Sequence, residues 1–155
     1  MTEAVRTTAL PLNRRRQILR AATELRSALS AVDAATWQAA TIDAFPRGAC
    51  GHCAELLARY LLDQFGIEAT YACGEVGHLI GTNTQWHAWL EHEGLFIDIS
   101  ADQFGQQPVI VESRSAFHEK AADVDRHPII QDRWWGEYGA RVYRAALAII
   151  EAQMR

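Results

Sequence analysis

Cysteine is scarce in this chain: Cys50, Cys53 and Cys73 are the only three among 155 residues. So small and odd a number cannot build a disulfide framework, and the thiols are read as free. Long apolar runs are missing too. No stretch approaches the ~20 apolar residues of a membrane-spanning helix, so no membrane partner is expected. The first residues, MTEAVRTTALPLNRRR, carry no apolar run behind a basic start, and a secretory signal is not expected. The expected location is the cytoplasm, where thiols stay reduced. Surplus positive charge is also absent. With a net charge of −4, and Asn13-Arg14-Arg15-Arg16 as the one basic run, nucleic acid is not an expected partner.

The composition that remains, 49% hydrophobic and 22% charged, is that of an ordinary globular chain. Its length suits one domain over residues 1–155, with residues 1–11 expected to be flexible. Ile18, Ala22, Leu25 and Leu29 recur at helical spacing and predict a helix over residues 12 to 31. A short irregular or helical piece, DAATWQAATIDAF, precedes the breaker Pro46-Arg47-Gly48. A second helix runs from about Cys50 to Phe65, with Gly66 as its C-terminal cap. The period then changes. IEATYACGEV, TQWHAWLEH and LFIDIS read as strands, with a turn at Glu93-Gly94, and PVIVES offers a further one. From about Trp134 to Met154 helical spacing returns, with Tyr138, Val142, Ala145 or Ala146 and Ile149 on one side. Helices, then a meander of strands, then a helix predict an α+β fold with an antiparallel sheet.

Within the second helix, 100° per residue puts Leu57 about −20° and Leu61 about +20° from Cys50. Cys50 therefore lies on the centre line of the apolar stripe, in the first turn. Cys53 sits about 60° to one side. The unpaired N–H groups and dipole of a helix start lower a thiol pKa, which favours Cys50 as a reactive residue. Three other readings compete. A zinc site would need two more ligands at recognisable spacing, and no second C-x2-C or His-x3-His follows, so no metal is expected. A redox pair would need a strand before the first cysteine. Ordinary buried thiols are common.

A nucleophilic cysteine needs a base and a group to orient it. His87 lies in QWHAWLE, and Asp98 in LFIDIS between two isoleucines where a strand would carry apolar residues. A two-residue turn at 93–94 pairs Trp89 with Asp98; a four-residue loop at 91–94 pairs His87 with Asp98. Either even loop puts His87 and Asp98 on one face within side-chain reach, whereas an odd loop separates them. An imidazole held by a buried carboxylate suits a base that activates a thiol.

These residues resemble a known family. Gly48-x-Cys50 opening an apolar helix, Gly66-Ile67 leading into a strand, His87-Ala88-Trp89-x-Glu91 and Asp98 after a short turn are similar to the transglutaminase-like proteins. Arg47-Gly48 is similar to the segment before the nucleophile in arylamine N-acetyltransferases. Both groups belong to the papain-like superfamily, and the resemblance covers roughly residues 45–104. It implies a papain-like core in which a nucleophile helix packs on a small antiparallel sheet, with added N- and C-terminal helices. It makes Cys50 the nucleophile, His87 the general base and acid, and Asp98 the orienting carboxylate. Cys50-Gly51-His52-Cys53 also mimics the papain C-G-S-C-W signature, whose second cysteine reacts, so Cys53 is the alternative nucleophile. The tryptophan of that signature is missing here.

The chain is much smaller than tissue-type transglutaminases and carries no calcium loop. The resemblance therefore implies amide chemistry, with hydrolysis ahead of cross-linking and no cofactor. The expected substrate is a peptide or small amide that passes through a thioester. A non-catalytic binding module and an acetyltransferase-like acyl transfer are the alternatives. Trp37, Gln38, Trp89 and Gln103 are candidate substrate contacts, each with core packing or turn formation as the competing role.

Overall fold

The computed structural model describes residues 12–37, 45–46, 48–129 and 135–155. The expected flexibility of residues 1–11 falls outside these, as do Gln38, Arg47 and Trp134. Helix α1, Leu12–Ala31, buries the face its spacing predicts: Ile18, Ala21, Ala22, Leu25, Ala28 and Leu29. A single turn, α2 (Ala34–Trp37), follows. Helix α3 spans Cys50–Phe65 and stops at Gly66, whose φ of 65° is left-handed. The Gly66 N–H bonds Leu62 O at 2.9 Å and the Ile67 N–H bonds Leu61 O at 3.2 Å, which satisfies the last carbonyls of the helix.

The sheet is antiparallel, and its strands lie in the order β4-β3-β2-β1-β5. They are β1 (Thr70–Glu75), β2 (Trp86–His92), β3 (Leu95–Asp98), β4 (Ile110–Glu112) and β5 (Ala122–Pro128). Glu93 and Gly94, with φ of 43° and 80°, form a two-residue hairpin turn of the kind that matches strand twist. It fixes the register Leu90↔Ile97, so the even-loop condition is met. Leu90, Ile97 and Val111 align across three strands and pack beneath the long helices. The C-terminal helix α5 (Ala140–Gln153) completes this layer through Val142, Tyr143, Ala146 and Ile150. Its buried face is thus rotated slightly from the expected one: Ile150 points in and Ile149 is partly covered.

The opposite face of the sheet carries a smaller cluster: Val76, Ala101 and Phe117, with Leu79, Phe104 and Ile110 against them. Two short 3₁₀ turns, Gly77–Leu79 and Ala101–Phe104, and the single-turn helix α4 (Ala116–Glu119) supply it. β5 lies at the sheet edge beyond β1, where its polar sequence ADVDRHP gave no alternation to read. Gly74 of β1 makes that edge possible. A Cβ there would stand 2.9 Å from Val124 Cγ2 and 3.2 Å from the Trp89 ring.

Candidate active site

Helix α3 begins without a side-chain cap. Its N-cap residue, Ala49, is fully buried and offers no acceptor, so the N–H groups of the first turn are left to other partners. Just before it, Gly48 adopts a φ of 71°, a conformation open to glycine at no steric cost, as the chain enters the helix. Cys50 is half-buried at that entrance. Its sulfur accepts hydrogen bonds from the backbone N–H groups of Gly51 and of Ala88 on β2. The side chain it meets is His87.

His87 is fully buried, and Asp98, at the end of β3, is 2% exposed. His87 Nε2 lies 2.5 Å from Asp98 Oδ2. The other ring nitrogen, Nδ1, is buried and makes no conventional hydrogen bond. The Cys50 thiol interacts with the His87 ring, and each shifts the protonation of the other. Asp98 Oδ1 accepts the Ser100 N–H at 2.8 Å, so each oxygen of the carboxylate is engaged.

Opposing effects set the protonation states. Burial pushes the Cys50 thiol up, but the His87 hydrogen bond and charge, with the two backbone N–H groups, hold it below its ordinary value. Burial pulls His87 down, yet the charge and hydrogen bond of Asp98, reinforced by Cys50, raise the imidazole to about 9. Burial likewise opposes ionisation of Asp98, and is outweighed by His87 and His118, which keep the carboxyl well below the usual range. The two shifts run in opposite directions, the thiol down and the imidazole up, as they would if a charged His87 stabilised a Cys50 thiolate.

The other two cysteines differ. Cys53 is 1% exposed, and burial followed by the neighbouring Cys50 charge pushes its thiol far up. Cys73 on β1, half-buried, is also raised by burial and by Cys50. The Arg26 charge pulls Cys53 the other way but is outweighed by burial, and no lowering influence acts on Cys73.

One member of the cluster escaped the sequence reading. His118 of α4 is 2% exposed and places Nε2 2.7 Å from the same Asp98 oxygen that binds His87. Its Nδ1 lies 2.6 Å from Ser115 Oγ. The available signal was Ser115-x-x-His118, a serine ahead of a four-residue helix with a histidine three positions on. It is too short a pattern to stand out.

His87, Asp98 and His118 each bring a metal-ligand type of atom within 4.8 Å of the others. Around one tetrahedral zinc with bonds of ~2.0–2.2 Å, ligand atoms stand about 3.3 Å apart. Separations of 2.5 and 2.7 Å are hydrogen bonds, and the trio is packed as a proton-sharing network.

No family model, curated protein or solved structure matches this chain.

The remaining candidate contacts are scattered. Trp37, 1% exposed, lies in the main core against Phe45, with ring centroids 5.4 Å apart. Trp89 is equally buried; it lies beside His87 and donates Nε1–H to Glu91 at 3.0 Å. Both pack the fold and offer no open surface to a ligand. Gln103 donates to Ser100 O at 3.0 Å, which braces the turn after Asp98. Two surface grooves, of about 450 and 320 Å³, are lined by other residues: one lies along α3 near Trp135, the other around the 93–94 turn. Neither contains Cys50, His87 or Asp98, and hydrogen-bond chemistry outweighs concavity in locating the site.

Proposed function

We propose that the protein is a cysteine-dependent acyl-transfer enzyme acting on an amide or peptide-like bond, with Cys50 as nucleophile, His87 as general acid and base, and Asp98 as the carboxylate that orients His87. One observation carries this reading: the half-buried Cys50 thiol is the only one of the three held below its ordinary value, and the group that lowers it is a histidine anchored on a buried aspartate. Such an ordering shifts the thiol toward its ionised, nucleophilic form.

In the proposed cycle the Cys50 thiolate attacks the carbonyl carbon of the substrate. The negative charge that develops on the carbonyl oxygen is stabilised by backbone N–H groups at the uncapped start of α3. His87, carrying the proton at Nδ1, delivers it to the departing amine, and the thioester forms. His87 then takes a proton from water, which attacks the thioester and releases the acid. Asp98 stays ionised throughout and holds Nε2–H, which fixes the ring so that Nδ1 addresses sulfur. The resemblance of Gly48-x-Cys50, His87-Ala88-Trp89 and Asp98 to transglutaminase-like proteins supports the same assignment and a papain-like ancestry for the core. The absence of a calcium loop from the sequence favours hydrolysis over cross-linking.

Iodoacetamide labelling with peptide mapping tests the reading. Cys50 is expected to label fast at pH 7, and His87→Ala to slow it. Equal, sluggish labelling of all three cysteines would overturn the proposal.

A further inference from the structure

Glycine weakens a helix and is used where the backbone turns left-handed or another group must come close. Gly51 sits in the first turn of α3 with the backbone of an ordinary helical residue, so its conformation does not require glycine. A Cβ at this position would stand 3.3 Å from Tyr71 Oη. Outside its own turn of helix, that oxygen is the only heavy atom of the described residues within 4 Å. The missing side chain leaves a gap between the tyrosine hydroxyl and the turn that carries Cys50.

The sheet aims Tyr71 at this gap. Tyr71 on β1 stands opposite Leu90 of β2, and Leu90 shares a strand face with Ala88, two residues away. Ala88 is the residue whose N–H bonds the Cys50 sulfur. On its other side Tyr71 stands opposite His127 of β5, and the two rings stack with centroids 4.8 Å apart and planes 24° from parallel. The phenol is thus held between the main core and the edge strand, with its oxygen against the start of α3.

We propose that Tyr71 is a further catalytic residue of this site, whose hydroxyl donates a hydrogen bond to the substrate oxygen of the tetrahedral intermediate on Cys50. This rests on the Cys50–His87–Asp98 reading and deepens it. Backbone donors near the sulfur are largely engaged: the Gly51 and Ala88 N–H groups bond the sulfur itself, and the Cys53 N–H bonds Ala49 O at 2.7 Å. A phenolic O–H is a donor outside that set. As the thiolate adds to the carbonyl carbon, a C–S bond forms and the carbonyl π electrons move onto oxygen. Tyr71 keeps its proton and shares it with that oxygen. When the C–N bond breaks, the amine leaves with the His87 proton, the C=O bond returns and the hydrogen bond relaxes.

Two reagents separate this role from any effect on the thiolate. Iodoacetamide is attacked at its CH₂ carbon and loses iodide, so no charge develops on its carbonyl oxygen. p-Nitrophenyl acetate is attacked at the carbonyl carbon, so its reaction does need an oxyanion donor. Tyr71→Phe in the full chain removes the hydroxyl and keeps the ring that stacks on His127. Acylation of Cys50, followed by nitrophenolate release and peptide mapping, is expected to slow about 10²-fold, the effect of losing one such donor. Alkylation of Cys50 is expected to be unchanged. Gly51→Ala, which fills the gap, should slow acylation more than alkylation. Thermal unfolding checks that both variants stay folded under the assay conditions.

Wild-type acylation in Tyr71→Phe overturns the proposal. Equal slowing with both reagents overturns it too, since the hydroxyl would then act on the sulfur or the fold. A wild-type chain that is not acylated at Cys50 sinks the nucleophile reading and this one together. Acylation at Cys50 that is indifferent to Tyr71→Phe sinks this one alone.

Discussion

His87 Nε2 stands 2.5 Å from Asp98 Oδ2, and neither side chain exposes more than 1% of its surface. A charged pair sealed from water in this way is costly unless every lone pair and proton is matched. Here three donors (His87, His118 and the Ser100 N–H) surround the carboxylate. The buried charge is therefore sustained, and its effect passes through the imidazole to the half-buried Cys50 thiol.

Labelling rates should expose that ordering. At pH 7, Cys50 is expected to react with iodoacetamide at least tenfold faster than Cys73, with Cys53 protected by burial, since only the thiolate attacks. His87→Ala should slow Cys50 labelling by about one to two orders of magnitude and move its midpoint up toward an ordinary thiol. Mass-spectrometric peptide mapping across pH 5 to 10 checks both.

Replacing the carboxylate separates charge from shape. Asp98→Asn keeps the volume but removes the charge that stabilises the imidazolium. Any measured acyl transfer should fall by up to about 10⁴, the drop seen when such an orienting aspartate is neutralised. The substitution should also alter acid stability. The folded protein holds Asp98 below the ~3.9 of an unfolded aspartate, so its contribution is complete above that pH and is lost as pH falls through the folded value. Urea unfolding from pH 7 down to 3 should show wild-type stability falling more steeply with acid than that of Asp98→Asn.

Arg26 ties α1 to the segment that follows Asp98. Its guanidinium grips Asp102 through two bonds of 2.7 Å and donates to Ile99 O at 2.8 Å. The pair is partly shielded, with 13% and 25% side-chain exposure. Arg26→Ala is expected to cost about 1–3 kcal/mol in urea unfolding. Arg26→Lys should recover only part of this, because an ammonium cannot match both carboxylate oxygens at once. A double-mutant cycle with Asp102→Ala should return a coupling of about 0.5–3 kcal/mol.

Gly74→Ala tests the tight approach of β5 to the sheet. The new methyl would crowd Val124, Ala121 and Trp89 at 2.9 to 3.2 Å. The expected cost is about 1–3 kcal/mol, as for other overpacked positions. A neutral result in thermal or urea unfolding would mean that β5 is looser than its pairing indicates.

Much of this architecture is legible from periodicity. Ile18, Leu25 and Leu29 mark α1; Leu57 and Leu61 mark α3; Gly66 ends it; and Glu93-Gly94 sets the hairpin register that puts His87 and Asp98 on one face. These features are local and repeat at a fixed period. What escaped the sequence is non-local. β5 contains Val124 as its one strongly apolar residue, and it is a strand because β1 offers it an edge and Gly74 lets it close in. His118 lies 20 residues after Asp98, and its role comes from the return of α4 over the sheet, which no spacing rule encodes. The choice between Cys50 and Cys53 was half visible: the wheel separated them, but the contact with His87 required the fold.

The most direct test of the central claim is a pre-steady-state burst with an activated acyl ester such as p-nitrophenyl acetate, followed by peptide mapping. The account predicts one nitrophenolate released rapidly per chain and the acyl group found on Cys50, with the burst lost in Cys50→Ser and strongly slowed in His87→Ala. A burst that persists in Cys50→Ser, or acyl groups found on Cys53 or Cys73 instead, would contradict it.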